Sequence, residues 1–178
     1  MSPTWGVHTG LQNTTMGELR RLWHHIEELG FDWISIWDHF YAADLTGPHC
    51  HEAVAAHTAL AMDTNRVRCG SLVYCAGYRH PAVLANAMAT IDHLCDGRVD
   101  FGIGAGWAQP EYEAYGIPFP SAGKRLDLLE EAVQCVRGLL REEVTDFEGE
   151  YFTLTAARCE PKPLQPDLPI WIGGGGEQ

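Results

Sequence analysis

The chain has 178 residues, 46% of them hydrophobic, which is enough apolar material for one sizeable core and too much for a disordered segment. Its formal net charge of -12 argues against nucleic acid as a partner, because affinity for a phosphate backbone comes from Lys and Arg neutralising it. Near the N-terminus Trp23 and Ile26 sit among Arg20, Arg21, His24, His25, Glu27 and Glu28, so no apolar run there is long enough for a signal peptide or a membrane span. A soluble, cytoplasmic protein with no membrane partner is the expectation.

In chain order, TWGVHTG (4–10) is strand-like, and residues 16–29 place Leu19, Leu22, Trp23, Ile26 and Leu29 on one helical face before Gly30. FDWISIWDH (31–39) predicts a second strand, residues 52–62 a weak alanine-rich helix, and VRCGSLVYCA (67–76) a third strand. Pro81 opens the next helix, where its missing N–H costs nothing, and Asp96 and Gly97 end it. RVDFGIGAGW (98–107) is a fourth strand, followed by a polar loop with Pro110, Pro118 and Pro120. A periodic helix then presents Leu126, Leu129, Val133, Val136 and Leu140; residues 144–154 predict a hairpin turning at Glu148 and Gly149. CEPKPLQPDLP reads as extended linker and PIWIGGGG (169–176) as a fifth strand.

Strands alternating with helices predict a parallel sheet covered by helices, an α/β fold. Five strands are present, whereas a closed eight-stranded barrel typically takes about 250 residues. The expectation is therefore an incomplete TIM (β/α)8 barrel, one domain over 1–178 that stops after its fifth strand. An open five-stranded sheet is the alternative, but the uncovered edge favours the N-terminal part of something larger. The six cysteines (50, 69, 75, 95, 135, 159) form no CxxC pair and read as free buried thiols. His49, Cys50, His51 and His57 crowd together without the HExxH spacing, so no metal site is expected.

The fourth strand poses the functional question. Asp100, Gly102, Gly104 and Gly106 share one face of it, opposite Val99, Phe101, Ile103 and Ala105. The spacing GxGxG, with a loop before the next helix, is not the dinucleotide fingerprint GxGxxG. Two readings remain open at this point: the glycines make room for large neighbours such as Trp33 or Trp37, or a flat ligand lies on bare backbone at the C-terminal end of the sheet. Asp38 and His39 end the second strand, where a carboxylate could fix the tautomer of an acid/base imidazole. Gly173 to Gly176 end the fifth strand and offer N–H groups to a phosphate. All three strand ends would open on one rim.

Together WDHF (37–40), GSLVYCAGYRHPAVLANAMATIDHLCDGRVDFGIGAGW (70–107) and PIWIGGGG (169–176) resemble the bacterial-luciferase-like superfamily, in particular its deazaflavin-dependent oxidoreductases. The resemblance covers essentially the whole chain. It implies a barrel that holds coenzyme F420, or alternatively FMN, at its C-terminal mouth and transfers hydride to or from a small organic substrate. It further implies His39 and Asp38 as the catalytic pair, with Asp38 near the cofactor ring edge. A bulge with a non-proline cis peptide around Ser71, Leu72 and Val73 would back the ring. Gly104, Ala105, Gly106 and Trp107, with Gly173, Gly174, Gly175 and Gly176, would approach the ring and the phosphate-bearing tail. Arg79, Lys124 and Arg125 are available to an acidic tail or are ordinary surface charges. Sugar-phosphate dehydrogenases of the family carry a glutamate where this chain has Trp107, a departure that tells against that substrate. Other readings are an FMN-dependent monooxygenase, or a non-catalytic partial barrel acting by pairing with another chain, in the simplest case as a homodimer.

Overall fold

The computed structural model describes residues 3–42 and 47–174. Strand β1 (Gly6–His8) leads to helix α1 (Met16–Glu28), β2 (Trp33–Ile36) to α2 (Ala53–Asp63), and β3 (Arg68–Ser71) with β4 (Tyr74–Cys75) to α3 (Pro81–Leu94). After β5 (Val99–Gly104) come α4 (Gln109–Ala114), α5 (Ala122–Arg141), the antiparallel pair β6 (Thr145–Glu148) and β7 (Thr153–Ala157), and β8 (Ile170–Gly173). In the main sheet β1 pairs with β2, β2 with β3, β3 and then β4 with β5, and β5 with β8, all parallel. β3 and β4 are thus one barrel strand interrupted at Leu72–Val73, whose peptide bond is cis. The sheet carries five barrel strands in chain order, the α/β partial barrel that the patterning predicts.

Local chemistry explains the helix boundaries. Thr15 and Glu18 form a reciprocal capping box at the start of α1, and Pro81 occupies the first turn of α3. The apolar face of α1 is narrower than predicted: Leu19, Trp23 and Ile26 are buried, while Leu22 and Leu29 remain exposed. The hairpin turns later than expected, over residues 149–152, because Glu131 of α5 accepts the amides of Glu150, Tyr151 and Phe152 at 2.7, 2.9 and 3.1 Å. The segment read as a polar loop after β5 contains α4, a helix too short to show a 3.6-residue period. No helix among the described residues is long and apolar enough to cross a membrane.

One buried histidine makes the fold acid-sensitive. His57 of α2 is fully buried; its Nε2 donates to the Cys69 carbonyl at 3.0 Å, so Nδ1 accepts from the Tyr74 hydroxyl at 2.9 Å. That neutral ring has both nitrogens satisfied, and burial pushes its pKa down to about 4. The unfolded chain therefore binds the extra proton first, and stability falls as pH drops below the ordinary histidine value of about 6.5. Urea denaturation is expected to show a loss on the order of 2 to 3 kcal/mol between pH 7 and pH 4.5, before most carboxylates titrate.

The barrel interior resolves the glycine question. Val99, Phe101 and Ile103 of β5 point into the helix-covered core and are fully buried. On the opposite face, Arg68 of β3 forks onto Asp100 at 2.9 and 2.6 Å. A Cβ at Gly102 would lie 2.0 Å from the Ser71 carbonyl oxygen, and one at Gly104 would lie 2.8 Å from Val73 Cγ2. The glycines do make room for a neighbour, but it is the Ser71–Val73 bulge and not an indole. Trp33 lies instead over Gly6 and Gly70, and Trp37 over Gly10. Gly173 belongs to the same seat, since its Cβ would meet both Val73 methyl carbons at 2.8 Å.

Candidate active site

At the C-terminal ends of the parallel strands lies a cavity of about 640 Å³, the position at which α/β sheets place their ligands. Its walls include Asp38 and His39 after β2, Leu72 and Val73 of the bulge, Gly104 to Trp107 after β5, and Gly173 and Gly174 at the end of β8. Ten of the predicted site residues therefore share one space: Asp38, His39, Leu72, Val73, Gly104, Ala105, Gly106, Trp107, Gly173 and Gly174. Ser71 does not line it. Its hydroxyl donates to the Gly102 carbonyl at 2.8 Å and accepts the Gly102 amide at 2.9 Å, which closes the bulge onto β5. Gly175 and Gly176 lie outside the described residues.

The pairing of Asp38 with His39 needs correction. His39 Nδ1 lies 3.0 Å from Oε2 of Glu111, a buried residue of α4 that also accepts the Tyr78 hydroxyl at 2.6 Å and the Tyr41 amide at 3.0 Å. Burial alone would raise the Glu111 carboxyl, but the hydrogen bonds from His39, Tyr78 and Tyr41 outweigh it and hold the pKa below the ordinary carboxylate value. An ionised carboxylate only accepts, so Nδ1 of His39 carries the hydrogen. Nε2 then has no hydrogen-bond partner among the described residues. The ring stands between the edges of Trp37 and Trp107, with centroids 5.6 and 5.3 Å away. Glu111 was missed because it lies 72 residues from His39, in a stretch read as loop; Pro110 followed by a first-turn glutamate was the available helix-start signal.

Asp38 is engaged elsewhere. Its carboxylate accepts both terminal nitrogens of Arg79 at 2.6 and 3.0 Å and the Cys75 amide at 3.0 Å. Burial raises the carboxyl's pKa, and the guanidinium opposes that rise. Arg79 also bonds Glu52, the N-cap of α2, so it ties three strand and helix ends together and is not a free cation for a cofactor tail. Arg125 is likewise spent, donating to the carbonyls of Gly106 and Pro120 at 3.1 and 2.6 Å with its guanidinium 4.0 Å above Phe119. Cys75 lines the cavity as an inert thiol: it lies 2.8 Å from the Tyr112 hydroxyl, and burial pushes its pKa up to about 11.

The chain is thus a parallel partial barrel with an imidazole and a carboxylate paired at the C-terminal ends of its strands. The chain belongs to the luciferase-like monooxygenase family, whose model matches residues 2–178. It is 36% identical over 151 residues to the F420-dependent glucose-6-phosphate dehydrogenase of Amycolatopsis mediterranei, covering 84% of this chain and 45% of the relative. The enzyme of the same name from Kineococcus radiotolerans is 36% identical over 172 residues, covering 96% and 50%. Among solved structures, an F420-dependent secondary alcohol dehydrogenase in complex with an F420-acetone adduct superposes with a TM-score of 0.85 at 28% identity, covering 97% of this chain and 52% of that one. The chain thus spans about half the length of the curated relatives it matches.

Proposed function

We propose that the complete protein is an oxidoreductase that uses a deazaflavin, coenzyme F420, to move a hydride to or from a small organic substrate. The observation that carries this reading is a single one: His39, oriented through Nδ1 by the buried Glu111 carboxylate, lines a strand-end cavity with Nε2 unpartnered among the described residues. The names of the relatives, in which F420 recurs, support the choice of cofactor.

The residues present suit a planar ring. Val73 rests on the bare backbone of Gly104 and Gly173, where a Cβ at either glycine would collide with it, so the bulge is a firm wall with Leu72 and Val73 on the cavity side. Leu72, Val73 and the strand-end backbone at Gly104, Ala105, Gly173 and Gly174 would hold the group. When bound, a deazaflavin supplies the partner for hydride exchange.

What the chain itself supplies is a place for the proton. An alcohol that loses a hydride from carbon must also lose its hydroxyl proton, which Nε2 of His39 accepts as the C–O bond becomes C=O; in the reverse direction Nε2 returns it. Glu111 holds the ring in the tautomer that can accept and stabilises the resulting imidazolium, in the manner of an acid-oriented histidine. Asp38 holds Arg79 and the Cys75 amide at the strand ends and so shapes the site without moving a proton.

Titration of the complete protein with F420 and with FMN tests the reading. F420 is expected to bind at least about tenfold more tightly, a difference of about 1.4 kcal/mol. Tight FMN binding with no F420 binding would overturn it in favour of a flavin-dependent oxygenase.

A further inference from the structure

The wall beside the imidazole indicates what kind of substrate the site takes. Large apolar side chains scattered singly over a surface need no explanation, but a group of them converging on one concavity marks a binding surface. Trp107 is 64% exposed and Leu126 is 56% exposed, and both line the cavity that holds His39. Leu126 was predicted on the core face of α5; it lies one turn before Leu129, the first buried leucine of that helix, and looks over the cavity mouth instead.

Trp107 is set in place by its surroundings. Gly106, just before it, has φ of +78°, and a Cβ there would lie 2.3 Å from the Tyr112 hydroxyl and 2.6 Å from Cys75 Sγ, so only glycine suits the turn. The carbonyl of Gly106 accepts Arg125 Nε at 3.1 Å, which ties the turn to the same first turns of α5 that carry Leu126. The indole thus stands at 69° to the His39 ring, with centroids 5.3 Å apart, on a constrained backbone.

Charge points the same way. A phosphate or carboxylate substrate calls for Arg, Lys or a cluster of N–H donors close by. Among the described residues no Arg or Lys lines the cavity, and Arg79 and Arg125 are committed to Asp38 with Glu52 and to backbone carbonyls.

We propose that the substrate portion next to His39 is uncharged and apolar, packing on Trp107 and Leu126, so that the site serves a small alcohol or carbonyl with a hydrocarbon flank and not a sugar phosphate. This rests on the reading of His39 as proton partner given above. The redox balance is the one already stated: hydride from the carbinol carbon, proton from its hydroxyl to Nε2.

The test compares cyclohexanol with glucose 6-phosphate, in wild type and in Trp107→Glu, on the F420-loaded complete protein. A second readout needs no turnover: the indole N–H resonance of Trp107, assigned by its loss in Trp107→Phe, is followed by NMR as each compound is added. Cyclohexanol is expected to shift that resonance and to be oxidised at least about tenfold more efficiently than glucose 6-phosphate. Trp107→Glu is expected to lower kcat/KM for cyclohexanol about tenfold, mainly through KM, because it puts a charge where an apolar flank must pack. Trp107→Phe keeps an apolar ring and is expected to retain the preference. Preference for glucose 6-phosphate, an unmoved indole resonance with cyclohexanol, or indifference of cyclohexanol oxidation to Trp107→Glu would each overturn the proposal. Failure of F420 to bind would instead overturn the proposed function, and the NMR arm would still decide the apolar wall.

Discussion

Glu111→Gln is expected to lower kcat of the F420-loaded protein by about 10²- to 10⁴-fold with little change in fold stability. The amide keeps the shape of the carboxylate: with its oxygen at the Oε1 position it still accepts the Tyr41 amide, and its nitrogen at the Oε2 position faces both His39 and the Tyr78 hydroxyl, which can turn to accept. What changes is the atom facing His39. An amide nitrogen aimed at Nδ1 donates where the carboxylate oxygen accepted at 3.0 Å, so the ring's hydrogen moves to Nε2. An imidazole with its hydrogen on Nε2 cannot take a hydroxyl proton there, and the anion hydrogen-bonded to the ring, which would stabilise an imidazolium, is gone. Nitrogen NMR of His39 would report the tautomer change directly, which a merely structural role for Glu111 would not produce. A variant that binds F420, shows the tautomer change and still turns over within threefold of wild type would remove Glu111 from the mechanism.

The largest loss of stability is expected from Arg79→Met. Asp38 is almost wholly buried, and its only cationic partner among the described residues is the Arg79 guanidinium. Removing that cation strands a carboxylate out of water, a change that costs about 3–5 kcal/mol and lowers Tm by roughly 6–20 °C for a chain of this size. The sign with pH follows from the same geometry. Without Arg79 only the Cys75 amide opposes the burial that raises the Asp38 pKa, so the deficit is greatest above that raised value and shrinks as the carboxyl is protonated. The double variant Asp38→Asn with Arg79→Met is expected to recover more than half of the loss, since the uncompensated charge is gone. If the single and double variants melt alike, the ion pair is not what holds these strand ends.

Much of the architecture was legible in the chain itself, because strands buried on both faces read as short apolar runs and their covering helices carry a 3.6-residue period. All five barrel strands and helices α1 and α3 fall within the predicted stretches, α2 and α5 overrun theirs by a few residues, and the hairpin runs on to Ala157. Capping chemistry is local, so Thr15 with Glu18 and Pro81 mark helix starts without help from the rest of the fold. The strand-end residues were legible for a different reason: Asp38 and His39 are residue types that packing alone does not call for there, and glycines in a strand mark a close approach, here of the Ser71–Val73 bulge.

What each of those groups touches was not legible. The carboxylate that orients His39 comes from α4 and not from the adjacent Asp38, and the cation that neutralises Asp38 is 41 residues away. Leu126 has the helical spacing of a core residue yet stays exposed and lines the cavity. Gly102 and Gly104 look like open backbone until β3 and β4 are placed beside β5, at which point the bulge occupies the slot.

The sequence by itself determined which segments become strands and helices, their parallel order and the rim on which reactive side chains collect, since those follow from periodicity and chain direction between neighbours in sequence. Only the tertiary structure decided which acid serves which base, which glycine is covered and which leucine is left out. Those are contacts between segments tens of residues apart, and their hydrogen bonds and collisions exist only once the sheet has set the register between strands.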